Sequence, residues 1–274
     1  WQTRVPLLTF QSEIILDVIL AIAALHLQSL EPDDKNLATA TAHYLNKAIA
    51  KHRLALVQID ASNAEALLVA AILISTTTWL HLHRSHPHEQ YEPPIHAYQM
   101  IKGVSGLYLW QRSLFDRAGY GWFGDEEPME VNPDILESNS FLKSVRKDLT
   151  QLTKGLSLQY SRDPKTSEAA IAYVFQLYAA YATNGPSSHI HRFIGTMPVR
   201  LPPEFLQLLA NHDPLAMALL ARALILLKVL DYAWWIQGPC DHDVLTYDLR
   251  GMCSLMPPDC LWSMDWPLSI LSGQ

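Results

Sequence analysis

Apolar residues recur with the helical period in the first third of the chain. Ser12 can cap a first helix, and a second helix is predicted over 32–60. Asn63 can cap a third helix over 64–83, whose segment 66–82 is almost free of charge and should be interior. The apolar positions of the first helix are Ile14, Ile15, Val18, Ile19, Ile22 and Leu25.

The strongest helical pattern covers 213–237. Asp213 is the predicted N-cap, Pro214 takes the first helical position, and Gly238-Pro239 ends the helix. Apolar residues surround this helix, so we expect it to be central, with neighbours on all sides. They are Leu215, Ala216, Met217, Leu219, Leu220, Leu224, Leu226, Leu227 and Leu230.

The rest of the chain is also predicted to be helical, because no run of alternating β-branched residues is bounded by turns. The Gly- and Pro-containing stretch 116–138 is predicted to be a long surface loop or an internal joint. We therefore predict an all-α fold: a single bundle of orthogonal or antiparallel helices around a central apolar helix, with 1–274 as one domain. Further helices are predicted over 94–114, 139–160, 165–182, 189–195, 203–211, 243–252 and 258–264.

Composition excludes several classes of protein. Hydrophobic residues make up 49% of the chain and charged residues 17%, which does not fit a disordered tail. The formal net charge of −7 argues against direct binding of nucleic acid, which needs a basic face. The apolar stretches 14–27 and 215–230 are interrupted by charged or His side chains, so no membrane span is predicted.

The three cysteines indicate neither a disulfide framework nor a zinc site, since Cys240, Cys253 and Cys260 have no CxxC spacing. A reducing compartment, the cytoplasm or nucleus, fits this usage best. No signal peptide is readable, and the start at Trp1 suggests a domain cut from a larger protein.

Two clusters could bind metal ions. Asp33-Asp34 lies beside Pro32 at a helix start, where acidic residues act as caps, and no DDxxD pattern follows. A group of histidines could bind a transition metal, but it lacks the HExxH pattern and is interpreted as a solvated loop without metal. These are His81, His83, His86, His88 and His96.

Catalytic motifs are missing from the sequence: it has no GxSxG elbow, no Walker or Rossmann glycine pattern and no catalytic-cysteine signature. The chain is therefore predicted not to be an enzyme. The sequence is also rich in bulky, deformable Trp and Met side chains. These suit either an ordinary core or a pocket for a flat hydrophobic ligand. They are Trp79, Trp234, Trp235, Trp262, Trp266, Met217, Met252, Met256 and Met264.

Several segments together resemble the C-terminal regulatory domain of fungal binuclear-zinc-cluster transcription factors, most closely the sterol uptake control type. The resemblance covers roughly 10–270. It is carried by Ile22 to Pro32, Tyr44, Ala48, His52, Ala55-Leu56, Asn63 to Leu67, Pro203 to Leu206, Asp213-Pro214, Leu219 to Ala221, Trp234-Trp235, Gly238, Leu255 to Pro258, Trp262 and Trp266-Pro267.

The resemblance implies an all-α homodimer that binds ergosterol in an apolar pocket and needs no cofactor. It further implies retention in the cytoplasm while sterol is bound, and entry into the nucleus, to activate sterol biosynthesis and uptake genes, when sterol is depleted. The DNA-binding zinc cluster would lie N-terminal to this chain, so DNA would be contacted only through that cluster.

Helical spacing suggests which residues would line such a pocket. The helix 214–237 and the segment 252–268 concentrate adaptable and aromatic side chains. The predicted ligand-binding residues are Met217, Leu220, Ala221, Leu224, Met252, Met256 and Trp79. Two alternatives stay open: an α-helical interaction or dimerisation scaffold for another pathway, and a lipid-modifying enzyme without recognisable motifs.

Overall fold

The computed structural model of this chain describes residues 3–85, 91–120, 132–160, 163–185, 188–230 and 244–272. Within these ranges every regular element is helical and no strand occurs, which confirms the predicted all-α class. The tryptophan pair Trp234-Trp235, the helix stop at Gly238-Pro239, the histidines His86 and His88, and the central part of the predicted loop 116–138 lie outside the described residues.

Contacts divide the chain into two compact units. Within the described residues, unit 1 contains six helices and a short π-helical turn at Asp116–Tyr120. Its helices are α1 (Arg4–Thr9), α2 (Glu13–Leu30), α3 (Lys35–Ala55), α4 (Ala64–Ser85), α5 (Ile95–Trp110) and α6 (Arg112–Phe115).

Unit 2 contains eight described helices and a 3₁₀ helix at Pro258–Met264. Its helices are α7 (Pro133–Ser138), α8 (Ser140–Tyr160), α9 (Pro164–Asn184), α10 (Ser188–Arg200), α11 (Glu204–Ala210), α12 (Pro214–Leu230), α13 (Val244–Leu255) and α14 (Asp265–Leu271). The sequence reasoning expected one bundle around one central helix, and this arrangement is not confirmed, because α12 belongs to unit 2 alone.

Capping explains where several helices begin. The Asp34 carboxylate accepts a hydrogen bond from the Asn36 backbone N–H at 2.8 Å, so Asp34 caps α3, as predicted for the Asp33-Asp34 pair. The predicted second helix starts three residues later than expected, since Pro32 lies in the preceding turn. Ser12 occupies the N-cap position of α2, although its side chain makes no capping hydrogen bond.

In unit 1, α2, α3 and α4 pack against one another around a core that includes Ile15, Val18 and Leu68. Asp17 of α2 is buried and pairs with two lysines of α3: Lys47 Nζ lies 3.1 Å and Lys51 Nζ 2.8 Å from its carboxylate oxygens. Burial raises the pKa of Asp17, but the hydrogen bonds from Lys51 and Lys47 outweigh it and hold the pKa below its usual range. This cluster fixes the register of α2 on α3.

Two described helices, Glu13–Leu30 and Ala64–Leu82 within α4, are long and apolar enough to cross a membrane. A bent pair, Glu204–Ala210 with Pro214–Lys228, would make a third if the two helices formed one broken span. About 39% of the first window and 50% of the second is buried inside the protein. Length and composition therefore do not exclude a span, and the expectation of none remains a prediction.

Candidate functional site

The centre of unit 2 is α12, whose start follows the predicted pattern. The Asp213 carboxylate accepts a hydrogen bond from the Ala216 N–H at 3.0 Å, and Pro214 occupies the first helical position. Every residue from Asp213 to Leu227 is buried. Burial on all sides follows from the helices that pack on α12, namely α8, α9, α10, α11, α13 and α14.

The predicted ligand-binding residues of this unit are all buried. Met217 and Ala221 on α12 are fully enclosed, as is Met252 on α13. Leu220, Leu224 and Met256 are at most 6% exposed. Since α12 and α13 pack together, the predicted residues of α12 and Met252 lie on neighbouring helices, and Met256 follows directly after the end of α13. Trp79 is buried as well, but it lies on α4 in unit 1.

A buried arginine lies in this apolar interior, and sequence reasoning missed its role. The guanidinium of Arg222, only 2% exposed, makes two hydrogen bonds to the Asp148 carboxylate of α8, at 2.7 and 2.9 Å. It also donates to the backbone carbonyls of Ala218, at 3.0 Å, and Ser263, at 2.9 Å. The charge is therefore both paired and hydrogen-bonded, which is what burial requires.

Two aromatic rings complete this network. The Tyr178 hydroxyl donates to the Arg222 backbone carbonyl at 2.7 Å, and burial raises the pKa of Tyr178 well above its ordinary value. The Trp266 ring lies 5.5 Å from the Tyr178 ring and 5.6 Å from the Arg222 guanidinium carbon. These groups join α8, α9, α12 and α14, so the network orients these helices against one another.

The outer side of α8 borders an open groove of about 820 Å³. Four cationic side chains lie along one helix face, with Thr150 and Gln151 between them; the cations are Lys143, Arg146, Lys147 and Lys154. At one end of the groove, Trp262 of the 3₁₀ helix packs on Gly155. A Cβ atom at position 155 would come within 2.7 Å of the Trp262 Cη2 atom, so only glycine lets the indole lie this close.

Metal-binding and thiol chemistry find no support in the described part of the chain. There, no three His, Cys, Asp or Glu side chains come together as ion ligands. Burial, with a smaller contribution from Asp265, raises the pKa of the half-buried Cys253 thiol, which disfavours the nucleophilic thiolate. Cys260 is buried, and Cys240 lies outside the described residues.

Helical spacing predicted the buried apolar residues of α12 but not the polar contacts around them. Arg222 was noticed only as an interruption of an apolar run, and its partner Asp148 lies 74 residues away in sequence. The groove had a readable signal, because the four cations of α8 recur at helical spacing opposite the buried residues Val145, Leu149 and Leu152.

Comparison with known proteins yields two relatives. A protein of Gibberella zeae named Zn(2)-C6 fungal-type transcription factor is 27% identical over 98% of this chain and 56% of its own length. The Zn(2)-C6 fungal-type transcription factor afumD of Aspergillus fumigatus is 30% identical over 39% of this chain and 29% of its own length. No protein-family model and no solved structure matches the chain.

The chain spans about half the length of the first relative and less than a third of the second. Both relatives are named as transcription factors and not as enzymes, in agreement with the prediction that this chain is not an enzyme. Over nearly its whole length, then, this all-α chain is similar to a Zn(2)-C6 fungal-type transcription factor.

Proposed function

We propose that this chain is the regulatory part of a fungal transcription factor and that its DNA-binding zinc cluster lies elsewhere in the protein. The observation that carries the proposal is the similarity to a transcription factor over 98% of the chain. The net charge of −7 supports DNA binding by another part of the protein, because an acidic chain is poorly suited to bind the DNA backbone itself. Such a regulator would act in the nucleus and be held in the cytoplasm when inactive.

The regulatory ligand in this proposal is ergosterol or a related sterol, bound in the apolar interior of unit 2. Four buried turns of α12 supply a surface with no competing polar group other than the paired Arg222. Met217, Met252 and Met256 are unbranched and polarizable, so they can change rotamer to fit a rigid, flat ligand. These features and the sequence resemblance support the choice of a sterol.

Ligand control would follow from binding linkage. A ligand shifts a conformational equilibrium only by its difference in affinity for the two states. A sterol that enters between α12 and α13 would stabilise the liganded arrangement of these helices through burial of its apolar surface. The buried Arg222–Asp148 pair would hold the α8 side of α12 in place while the α13 side adapts.

The experiment is a search for bound sterol followed by titration. The purified chain is extracted with organic solvent, the extract is analysed by mass spectrometry, and ergosterol is titrated while the melting temperature is recorded. We expect a co-purifying sterol or a saturable rise in melting temperature. If no sterol is extracted and the melting temperature does not shift, the ligand proposal is ruled out. The transcription-factor proposal would remain intact.

A second candidate function, a dimerisation scaffold, is favoured by an unusual stripe on α2. Leu16, Leu20, Leu27 and Leu30 are 43, 36, 48 and 67% exposed, and with exposed Ala23 they repeat at intervals of four and three residues. This is the spacing by which two helices pack side by side. We propose that two copies of the chain pair through this stripe.

Sedimentation tests the dimer directly. Leu20→Glu with Leu27→Glu should convert a dimer into a monomer, because it buries carboxylates in the proposed interface. Leu54→Glu with Val57→Glu is the matched control, since these side chains are 76 and 86% exposed in the same unit. A wild-type monomer at high concentration, or a dimer unaffected by the α2 changes, would refute this interface.

A further inference from the structure

We propose that the groove of α8 is a docking site for an acidic peptide segment of a partner protein, with one large apolar side chain of that segment seated against Trp262. This inference does not depend on a sterol or on the α2 dimer. It starts from a local excess of positive charge in an acidic chain.

Among the described residues, no acidic side chain pairs with the lysines of the groove. Lys143, Lys147 and Lys154 make no ion pair in the part of the chain that the structure describes, and Arg146 lies 5.1 Å above the Phe175 ring. Asp148, the sole acidic residue between Lys143 and Lys154, has its carboxylate turned to the buried Arg222. The outer face of α8 therefore keeps its positive charge, and a complementary ligand must be anionic.

The dimensions of the groove suit a short peptide. Lys143 and Lys154 are eleven residues apart in the helix, which corresponds to about 16 Å along its axis. A cavity of about 820 Å³ accommodates a few side chains. Thr150 and Gln151 offer hydrogen-bonding groups between the cations, where they can pair with a peptide backbone.

The Trp262 indole at the end of the groove favours a peptide with an apolar side chain at that point. Trp262 is 36% exposed and packs closely on Gly155, so its exposed part is available to a ligand. Large aromatic surfaces flanked by charged groups are typical centres of protein interfaces. A partner that carries an aromatic or aliphatic side chain between carboxylates would satisfy both parts of the groove.

Two other polyanions fit less well. A nucleic-acid duplex brings a dense array of phosphates close to a chain whose net charge is −7, and that charge repels it. A membrane surface requires apolar side chains that protrude beyond the cations, whereas Trp262 lines the groove and packs closely on Gly155.

Fluorescence anisotropy tests the proposal with a labelled peptide of about a dozen residues that carries a central Trp between about four Asp and Glu residues. We expect saturable binding to the 274-residue chain in the micromolar range, weakened as salt is raised. The same peptide with Asn and Gln in place of its acids should bind at least about tenfold more weakly.

Variants locate the site. Lys143→Glu with Lys154→Glu should weaken binding at least about tenfold without changing the melting temperature, because both side chains are exposed. Lys35→Glu with Arg53→Glu is the control of equal charge change on exposed positions of unit 1. Trp262→Ala should also weaken binding, and Trp110→Ala, an exposed tryptophan of unit 1, should not.

Three results would overturn the proposal. The first is no binding of the acidic peptide, or equal binding of its amide counterpart. The second is equal loss of affinity in the unit 1 control variants. The third is tighter binding of a DNA duplex or of anionic phospholipid vesicles that is abolished by Lys143→Glu with Lys154→Glu, since the groove would then serve a different ligand.

Discussion

Arg222 of α12 and Asp148 of α8 form a two-point ion pair inside unit 2, with Nε–Oδ2 and Nη2–Oδ1 distances of 2.7 and 2.9 Å. Arg222 is almost fully buried, whereas the Asp148 side chain is 25% exposed. Two-point geometry fixes the rotation of α12 against α8, so the pair selects one arrangement of the apolar interior.

Asp148→Asn should lower the free energy of unfolding by about 2–4 kcal/mol, because it leaves the Arg222 charge buried without a counter-charge. Urea unfolding measures this loss. Glu168→Gln, which removes an exposed carboxylate from α9, is the control and should cost little. Equal stability of Asp148→Asn and the wild type would show that the pair does not hold the interior.

Gly251 of α13 lies against the Tyr91 ring, and a Cβ atom added there would come 2.7 Å from Tyr91 Cε2 and closer still to Cγ and Cδ2. The ring cannot easily move away, since the Tyr91 hydroxyl donates to the buried Asp248 carboxylate at 3.0 Å. Gly251→Ala should therefore lower the free energy of unfolding by about 1–3 kcal/mol.

Gly195→Ala in α10 is the matched control, because no atom lies within 4 Å of a Cβ at that position. A helical glycine in open space should gain about 0.5–1 kcal/mol on replacement by alanine. The melting temperatures of the two variants, measured by thermal unfolding, should therefore shift in opposite directions from that of the wild type. A stabilised Gly251→Ala variant would contradict the close approach of α13 to Tyr91.

Because His52 of α3 is buried, the stability of unit 1 should depend on pH. Its Nε2 donates to the Leu67 carbonyl at 3.0 Å, and burial lowers the pKa of the imidazole below its ordinary 6.5, although the hydrogen bond opposes this shift. The unfolded chain then binds a proton at a higher pH than the folded one. The stability that neutral His52 contributes is complete above about pH 6.5 and is lost as the pH falls toward the lower, folded pKa.

Free energies of unfolding, measured from about pH 8 to about pH 5, should decline below pH 6.5. His52 should contribute at most about 1.4 kcal/mol per pH unit to this decline. His52→Leu should remove that contribution and flatten the profile. Identical profiles for the variant and the wild type would show that His52 does not titrate differently in the two states.

Local signals predicted much of the fold and little of what holds it together. Asp34 and Asp213 marked helix starts because a cap acts within two or three residues of the backbone groups it satisfies. The Arg222–Asp148 pair and the contact of Gly155 with Trp262 join residues far apart in sequence, and no local pattern encodes them. The division into two units is likewise a property of packing that the helical period does not carry.

The predicted ligand-binding residues show the same limit. Spacing placed Met217, Leu220, Ala221 and Leu224 on one face of a buried helix, and all four are buried on α12. It could not relate Trp79 to them, because Trp79 belongs to the other compact unit. Burial follows from hydropathy, whereas the shape of an interior depends on how distant helices meet.

Equilibrium binding of ergosterol to the wild-type chain and to Leu220→Trp tests the regulatory proposal most directly. The larger side chain should occupy the space between α12 and α13, so we predict saturable, stoichiometric binding by the wild type and at least about tenfold weaker binding by a folded Leu220→Trp variant. Leu219→Met, a volume-conserving change at a buried residue of the same helix outside the predicted ligand-binding set, should bind like the wild type. Leu220→Phe serves as the smaller filler if Leu220→Trp does not fold. No saturable binding by the wild type, or undiminished binding by a folded filler variant, would contradict a sterol site on α12.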